Sequence, residues 1–455
     1  MSSKEIFTFK GGVAFGGKAA ADIESVRITA PHEVSISLLQ YGCTGQPCVS
    51  VGDRVSRGQC ISGGAGEYPR PVFSSVSGNV CRIDKLRFHG SGTEFFAVVI
   101  ENDGEESSVT PMPHRKKISE TSPDEITEKI RNGGIIGNYR DFMPLYAIIS
   151  RAVGSIKLKR LIVNCTECTP EAASVRRLLL ESPSDVINGT KILLRALGLP
   201  RADIAVDESD PDAVNSLRAV CVNNPLFRFR LIKSKYPAGD SRILVNALTG
   251  REISAGVRTE DAGYVVADAA VCAEVFRLFA DGVPYSERRV TVGGDLIPEP
   301  KNLIVPVGTP VEYIIENCGG TVGSEAVWCE NPLRDGLSVV SDGYVSAVSS
   351  AVFAFRRDPD VHNGTSRGLD GCLRCGKCAA VCPMRLIPVY IAEHAVSGNL
   401  LKIKDLGLED CIGCGVCAYV CPSRVDLMRY LHQEKRMIAD DGYAELKAGS
   451  NSGEV

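Results

Sequence analysis

Two stretches of the chain carry cysteines at one repeated spacing: Cys372-x2-Cys375-x2-Cys378-x3-Cys382-Pro383 and Cys411-x2-Cys414-x2-Cys417-x3-Cys421-Pro422. Thiolates placed in this way suit two [4Fe–4S] clusters, whose common use is to move single electrons. Two-residue gaps let a tight loop offer three thiolates to one cubane. The fourth cysteine, expected to be carried off by the start of a helix, serves the other cubane. Cys372, Cys375, Cys378 and Cys421 are therefore expected to hold one cluster, and Cys411, Cys414, Cys417 and Cys382 the second. Gly376, Gly413 and Gly415 leave room for the loops to turn and for backbone N–H groups to approach sulfur. Zinc also uses C-x2-C pairs, but it needs four ligands in two pairs, whereas each run here holds four cysteines and ends in Cys-Pro. The opening MSSKEIFTFK has no apolar secretion segment, so the expectation is a reducing cytoplasm without disulfides. The other ten cysteines (43, 48, 60, 81, 165, 168, 221, 272, 318 and 329) are scattered and expected to be mostly small buried apolar residues.

A chain of 455 residues is too long for one core and implies about three or four domains. A formal net charge of −4 supplies no basic field for nucleic acid. The short basic runs His114–Lys117 and Lys157–Arg160 read as solvated surface. No run of 18 or more uncharged apolar residues spans a bilayer, so membrane association has to come through a partner. The six histidines form no ligand-spaced pair and no Ser/His/Asp arrangement is present; no catalytic residue is assigned.

The elements that must position these cysteines change character along the chain. Residues 1–105 read as all-β, with strands at Glu33–Leu38 and Phe95–Ile100 between Gly, Pro and Asn-Asp-Gly turns. Residues 102–124 form a polar linker. Residues 125–285 alternate helix and strand, predicting a largely parallel sheet. The expected elements are helices at Asp124–Arg131 and Val186–Leu197 and strands at Arg160–Asn164, Asp203–Val206 and Phe227–Ile232. Residues 287–335 are a small β-rich unit with one helix ending at Cys318-Gly-Gly320, and residues 365–435 hold the cysteine runs between flanking helices. The tail from Gly449 is expected to fray.

Val49-Ser-Val-Gly-Asp-Arg-Val-Ser-Arg-Gly-Gln-Cys-Ile61 and Pro71-Val-Phe-Ser-Ser-Val-Ser-Gly-Asn-Val80 resemble segments of biotinyl/lipoyl-type barrel-sandwich domains. Residues 62–70 contain no lysine to carry a cofactor, so this module is expected to be structural or to dock a partner. The order of parts is a barrel-sandwich, an α/β flavoprotein-like domain, a soluble-ligand-binding β-grasp (SLBB) unit and a two-cluster ferredoxin domain. Together with Thr8-Phe-Lys-Gly-Gly12, Asn164-Cys-Thr-Glu-Cys-Thr-Pro170, Lys235-Tyr-Pro-Ala-Gly239 and Val290-Thr-Val-Gly-Gly-Asp295, it resembles the RnfC family of the Rnf complex. The resemblance implies a peripheral protein on the cytoplasmic side of the membrane, with Rnf-type membrane subunits and electron carriers as partners. It would pass electrons between ferredoxin or NAD and those partners, coupled to ion translocation. A cobalamin reductase of microcompartments is built from related parts but lacks the N-terminal barrel.

The family's glycine-rich FMN loop, G-x-G-G-A-G-F-P, appears here as Gly137-Asn-Tyr-Arg-Asp-Phe-Met-Pro144. Large side chains and the Asp141 carboxylate stand where an anionic cofactor would lie, so FMN and NAD(H) binding is expected to be weakened or lost. The chain would then be an electron relay whose partner supplies the flavin. Glu167 and Lys235 are candidate nucleotide contacts by position, though ordinary polar strand-end roles suit them better.

Overall fold

The computed structural model describes residues 5–16, 20–87, 94–105, 107–111, 114, 116–155, 157–221, 224–323, 326–331, 333, 343–356 and 368–433. His89, Arg115, His362 and the tail from Gly449 lie outside these residues. In the barrel, Glu33–Ser37 and Glu94–Asn102 pair antiparallel, and Gly78–Arg87 and Arg54–Val55 complete a four-stranded sheet. Alternate residues face inward, so Val34, Ile36, Val98 and Ile100 meet Ile61, Val72 and Val80 in one core. Gly78, at φ +156°, passes so close to the Glu101 carbonyl that a Cβ would collide with it. Arg70, on the lysine-free crossing, is buried and donates to the carbonyls of Leu39 (3.3 Å) and Gly134 (3.4 Å), tying barrel to α/β layer.

The α/β layer holds a five-stranded parallel sheet in the order Ile6–Phe7, Phe227–Ile232, Ala202–Asp207, Arg160–Cys165, Tyr264–Asp268. The edge strand Ile6–Phe7 comes from the far N-terminus and had no local signal. Ser122 caps Pro123–Asn132 in a reciprocal capping box with Glu125, and Gly198 ends Pro183–Leu197 in the left-handed conformation. Gly189 lets that helix lie against Ala269–Ala280, since a Cβ there would run into the Cys272 carbonyl. The linker is less featureless than its composition suggests: the His114 ring packs at a tilt against Phe279 and its backbone N–H donates to the Phe279 carbonyl (2.8 Å).

The chain reverses its strand order between Arg160–Cys165 and Tyr264–Asp268, the place in an open α/β sheet where ligands usually bind. At these strand ends the Asn164 amide donates to Asp268 (2.9 Å) and to the Gly239 carbonyl (3.2 Å).

The next sheet takes in more chain than residues 287–335. Its order is Ala326–Cys329, Ala351–Arg356, Glu287–Gly293, Lys301–Pro306 and Ser25–Arg27, with Val311–Glu316 packed on one face through Val311, Ile314 and Ile315. The buried Asn302 amide donates to the Ala20 and Ile23 carbonyls, which brings the N-terminal strand to the sheet edge. Of the ten scattered cysteines, 165, 221, 272, 318 and 329 are buried, 43, 60 and 81 are half-buried, and 48 and 168 are exposed. The expectation of mostly buried cysteines thus holds for half of them. In the barrel, Cys43 and Cys60 lie on short two-stranded ribbons and Cys48 lies in a loop outside any strand.

Candidate metal centre

The two cysteine runs fold as near repeats. Each begins with a one-turn 3-10 helix, Leu369–Gly371 or Leu408–Asp410, followed by the ligand loop and a short helix, Lys377–Val381 or Val416–Tyr419. The loops turn through positive φ at Arg374 and Gly413, and again at Gly376 and Gly415. The fourth cysteine does not ride on the start of a helix. Cys378 already lies within Lys377–Val381, and Cys382 is that helix's C-cap. The chain then turns back at Pro383, which delivers Cys382 to the other run's loop.

Cys372, Cys375, Cys378 and Cys421 line one cavity, and Cys382, Cys411, Cys414 and Cys417 line a second. Backbone N–H groups aim at sulfur in matched pairs: Arg374 to Cys372 (3.4 Å) and Gly413 to Cys411 (3.3 Å), Leu386 to Cys382 and Val425 to Cys421 (3.4 Å each). Burial pushes the Cys414 thiol up to about 12 and Cys417 well above its ordinary value. Thiols held so high become thiolates at neutral pH only with an electropositive metal among them. The donor set therefore fits iron–sulfur clusters.

The second set is an inner one. Ile412 packs with Phe9, Ile162 and Ile243 under the α/β sheet, and Arg242 binds Asp410 through its carboxylate (2.7 Å) and carbonyl (3.3 Å). Gly11 and Gly12 pass against Val381, whose carbonyl accepts the Gly12 N–H (2.8 Å). The first set faces outward: Cys375 is exposed, and beside it Leu373 and Tyr390 are 70 % and 48 % exposed.

The Gly137–Pro144 segment is a tight hairpin in which Ile136–Asn138 pairs with Met143–Pro144. Two of its N–H groups are engaged within the loop: Asn138 Oδ1 accepts from Arg140 (2.9 Å) and Asp141 Oδ1 from Met143 (3.2 Å). Tyr139 turns inward, and its hydroxyl donates to Glu274 (3.0 Å). Arg288 lies against the ring face and donates to both oxygens (3.0 and 2.9 Å). This buried triad joins the hairpin, helix Ala269–Ala280 and strand Glu287–Gly293. Burial pushes the Glu274 carboxyl up to about 7 against the pull of Arg288. Asp141 pairs with Arg258 (2.7 Å), and Arg140 pairs with Asp240 (3.1 Å). In place of bare glycine backbone the loop thus presents side chains tied to Glu274, Arg288, Arg258 and Asp240.

The two candidate nucleotide contacts have structural employment. Glu167 accepts the N–H groups of Val175 and Arg176 (3.0 Å each) at the start of Ser174–Glu181. The Lys235 ammonium binds the Phe9 and Gly11 carbonyls over the Phe9 ring. The Tyr139–Glu274–Arg288 triad was missed in the sequence. Its one local signal is Glu274 within an apolar run, since Arg288 sits among the charges Glu287 and Arg289.

Comparison with known proteins adds three matches along the chain. Residues 7–105 match the RnfC barrel sandwich hybrid domain, 130–277 the Nuo51 FMN-binding domain and 371–425 the 4Fe-4S dicluster domain. The dicluster match decides for clusters over zinc, and the α/β module keeps the architecture of an FMN-binding domain. The RnfC-type subunit of the Na(+)-translocating ferredoxin:NAD(+) oxidoreductase complex of Acetobacterium woodii is 28% identical over 392 residues, covering 85% of this chain and 87% of the relative. Its counterpart in the proton-translocating ferredoxin:NAD(+) oxidoreductase complex of Clostridium ljungdahlii is 30% identical over 360 residues, covering 79% and 77%. A chain of a NAD+-reducing [NiFe]-hydrogenase superposes with a TM-score of 0.48 at 16% identity, covering 72% of this chain and 68% of that one. No helix among the described residues is long and apolar enough to cross a membrane. With its barrel, FMN-type and dicluster modules in this order, the chain belongs to the RnfC family of ion-translocating oxidoreductase complexes.

Proposed function

We propose that this chain is the iron–sulfur electron-transfer subunit of an Rnf-type membrane complex and works as a relay without its own FMN or NAD(H) site. It would pass electrons between ferredoxin or NAD and the membrane subunits, coupled to ion translocation. It would sit at the cytoplasmic face, held there by its partners. The observation that carries the relay is the sorting of eight cysteines into two cavities, each drawing its fourth thiol from the opposite run. Cys372, Cys375, Cys378 and Cys421 would hold the outer cluster, and Cys411, Cys414, Cys417 and Cys382 the inner one. Bound there, two [4Fe–4S] clusters supply one-electron transfer. The chain's own groups orient them: the N–H donors at Arg374, Gly413, Leu386 and Val425 lower the negative charge on sulfur.

The loss of flavin is supported by the engaged Arg140 and Met143 N–H groups of the 137–144 hairpin and by the inward Tyr139. The working parts would be the barrel of residues 1–105, the α/β domain of 125–285, an SLBB β-grasp unit around 287–335 and the ferredoxin domain of 365–435. Strands Ser25–Arg27 and Ala351–Arg356 extend the third of these beyond its sequence bounds.

The test is the cofactor content of anaerobically purified, cluster-reconstituted chain. About eight iron and eight sulfide per chain, without FMN, and bleaching by dithionite but not NADH, are expected. One FMN per chain with bleaching by NADH would overturn the relay reading and leave an NADH-handling subunit.

A further inference from the structure

The residue that follows Tyr139 in the hairpin leaves the buried triad and turns toward the inner cysteines. Arg140 Nη1 binds Asp240 (3.1 Å), and the other terminal nitrogen lies 3.9 Å from where a Cβ on Gly413 would stand. Gly413 is the residue immediately before Cys414. The Asp240 carboxylate is well placed for a fixed role. It is 14 % exposed and also accepts the N–H groups of Arg242 (3.0 Å) and Ile243 (3.3 Å), capping Ser241–Thr249. Arg140 is 41 % exposed, so it contributes charge more than packing. The remaining charged groups here are engaged elsewhere: Arg242 with Asp410 and the Ile253 carbonyl, Lys235 with the Phe9 and Gly11 carbonyls. His432 Nε2 also lies near Gly413, 3.3 Å from the same Cβ position.

We infer that the Arg140–Asp240 pair sets the reduction potential of the inner cluster, with Arg140 as the cation that favours its reduced form. The inference rests on the assignment of Cys411, Cys414, Cys417 and Cys382 as that cluster's ligands. Reduction adds one negative charge to a partly desolvated centre. A fixed cation at short range stabilises that state, and an uncompensated carboxylate opposes it. The outer set is lined by other residues, none of them Arg140, Asp240 or Gly413, so the pair is expected to act on it less.

The experiment is a redox titration of the full-length, cluster-loaded chain by EPR, with mediators and dithionite as reductant, on wild type, Arg140→Gln, Arg140→Lys, Asp240→Asn and the double variant Arg140→Gln/Asp240→Asn. Asn retains an N-cap acceptor, and iron content checks that each variant is loaded. One of the two reduction steps is expected to move to lower potential in Arg140→Gln and to higher potential in Asp240→Asn. It should return toward wild type in Arg140→Lys and in the double variant, while the other step moves less. Unmoved steps in fully loaded single variants, or equal shifts of both steps, overturn the inference. Wild type that fails to bind about eight irons overturns the ligand assignment itself and, with it, this reading.

Discussion

Arg288→Met tests whether the hairpin is held by a buried charge pair. The side chains of Arg288 and Glu274 are only 4 % and 7 % exposed, 2.9 Å apart, and share the Tyr139 hydroxyl. Methionine keeps much of the volume and removes the cation, which leaves Glu274 buried with only a phenol. Breaking a buried pair from one side costs about 3–5 kcal/mol. For a cooperative unit the size of the α/β module, each kcal/mol lowers Tm by about 2–4 °C, so the expected drop is about 6–20 °C. The assay is thermal unfolding of the anaerobic full-length chain by circular dichroism, with hydrogen exchange locating the loss to 136–144 and Ala269–Ala280. The pH dependence has a defined sign. A carboxyl held above its unfolded value binds more protons in the folded chain, so its cost grows as pH rises through that range. Glu274 already sits at about 7 and rises further without Arg288. The deficit of Arg288→Met should therefore shrink from about pH 8 to about pH 6. Arg288→Met/Glu274→Leu should recover most of the loss, because no charge is left buried. A drop below about 2 °C that is indifferent to pH would contradict this account, since the pair would then be solvated.

Two further outcomes test the site and the packing. Cys421→Ala should abolish the same cluster signal as Cys372→Ala, and Cys382→Ala the same one as Cys411→Ala, each losing about four irons; EPR and iron analysis that instead pair Cys382 with Cys372 would rule out the crossed ligation. Gly189→Ala should destabilise by about 1–3 kcal/mol in urea unfolding, because its Cβ forces Pro183–Leu197 off the Cys272 carbonyl; an unchanged midpoint would mean the helices have room to part.

Much of this architecture was legible because its signals are local. Helix Pro123–Asn132 announces itself in Ser122, Pro123 and Glu125, and Pro183–Leu197 in its apolar period and Gly198. Phe227–Ile232 falls on the predicted residues, since Phe-Arg-Phe-Arg alternates apolar and charged side chains at the strand period. The structure departs from expectation where distant segments meet. Ile6–Phe7 and Ser25–Arg27 became strands only because a sheet edge waits for each more than 200 residues away in sequence. Cys43 and Cys48 were expected inside and lie at least partly outside, one on a short two-stranded ribbon and one in a loop, because burial depends on what the rest of the chain packs over each position.

Residue order alone is enough to expect two clusters and to name the cysteines that would bind them. Ligand spacing along a short loop is a local geometric property, written in C-x2-C-x2-C-x3-C-P. The loss of glycines from the 137–144 loop is equally plain in the residue order. What took their place is not, and it emerges with the folded chain. Whether Tyr139 points into solvent, blocks a pocket or enters a buried triad depends on Glu274 and Arg288, more than 130 residues away. The placement of Arg140 beside the inner cysteines depends equally on how the ferredoxin module seats on the sheet. Charges act through distance in space, and the chain reveals that distance only once it is folded.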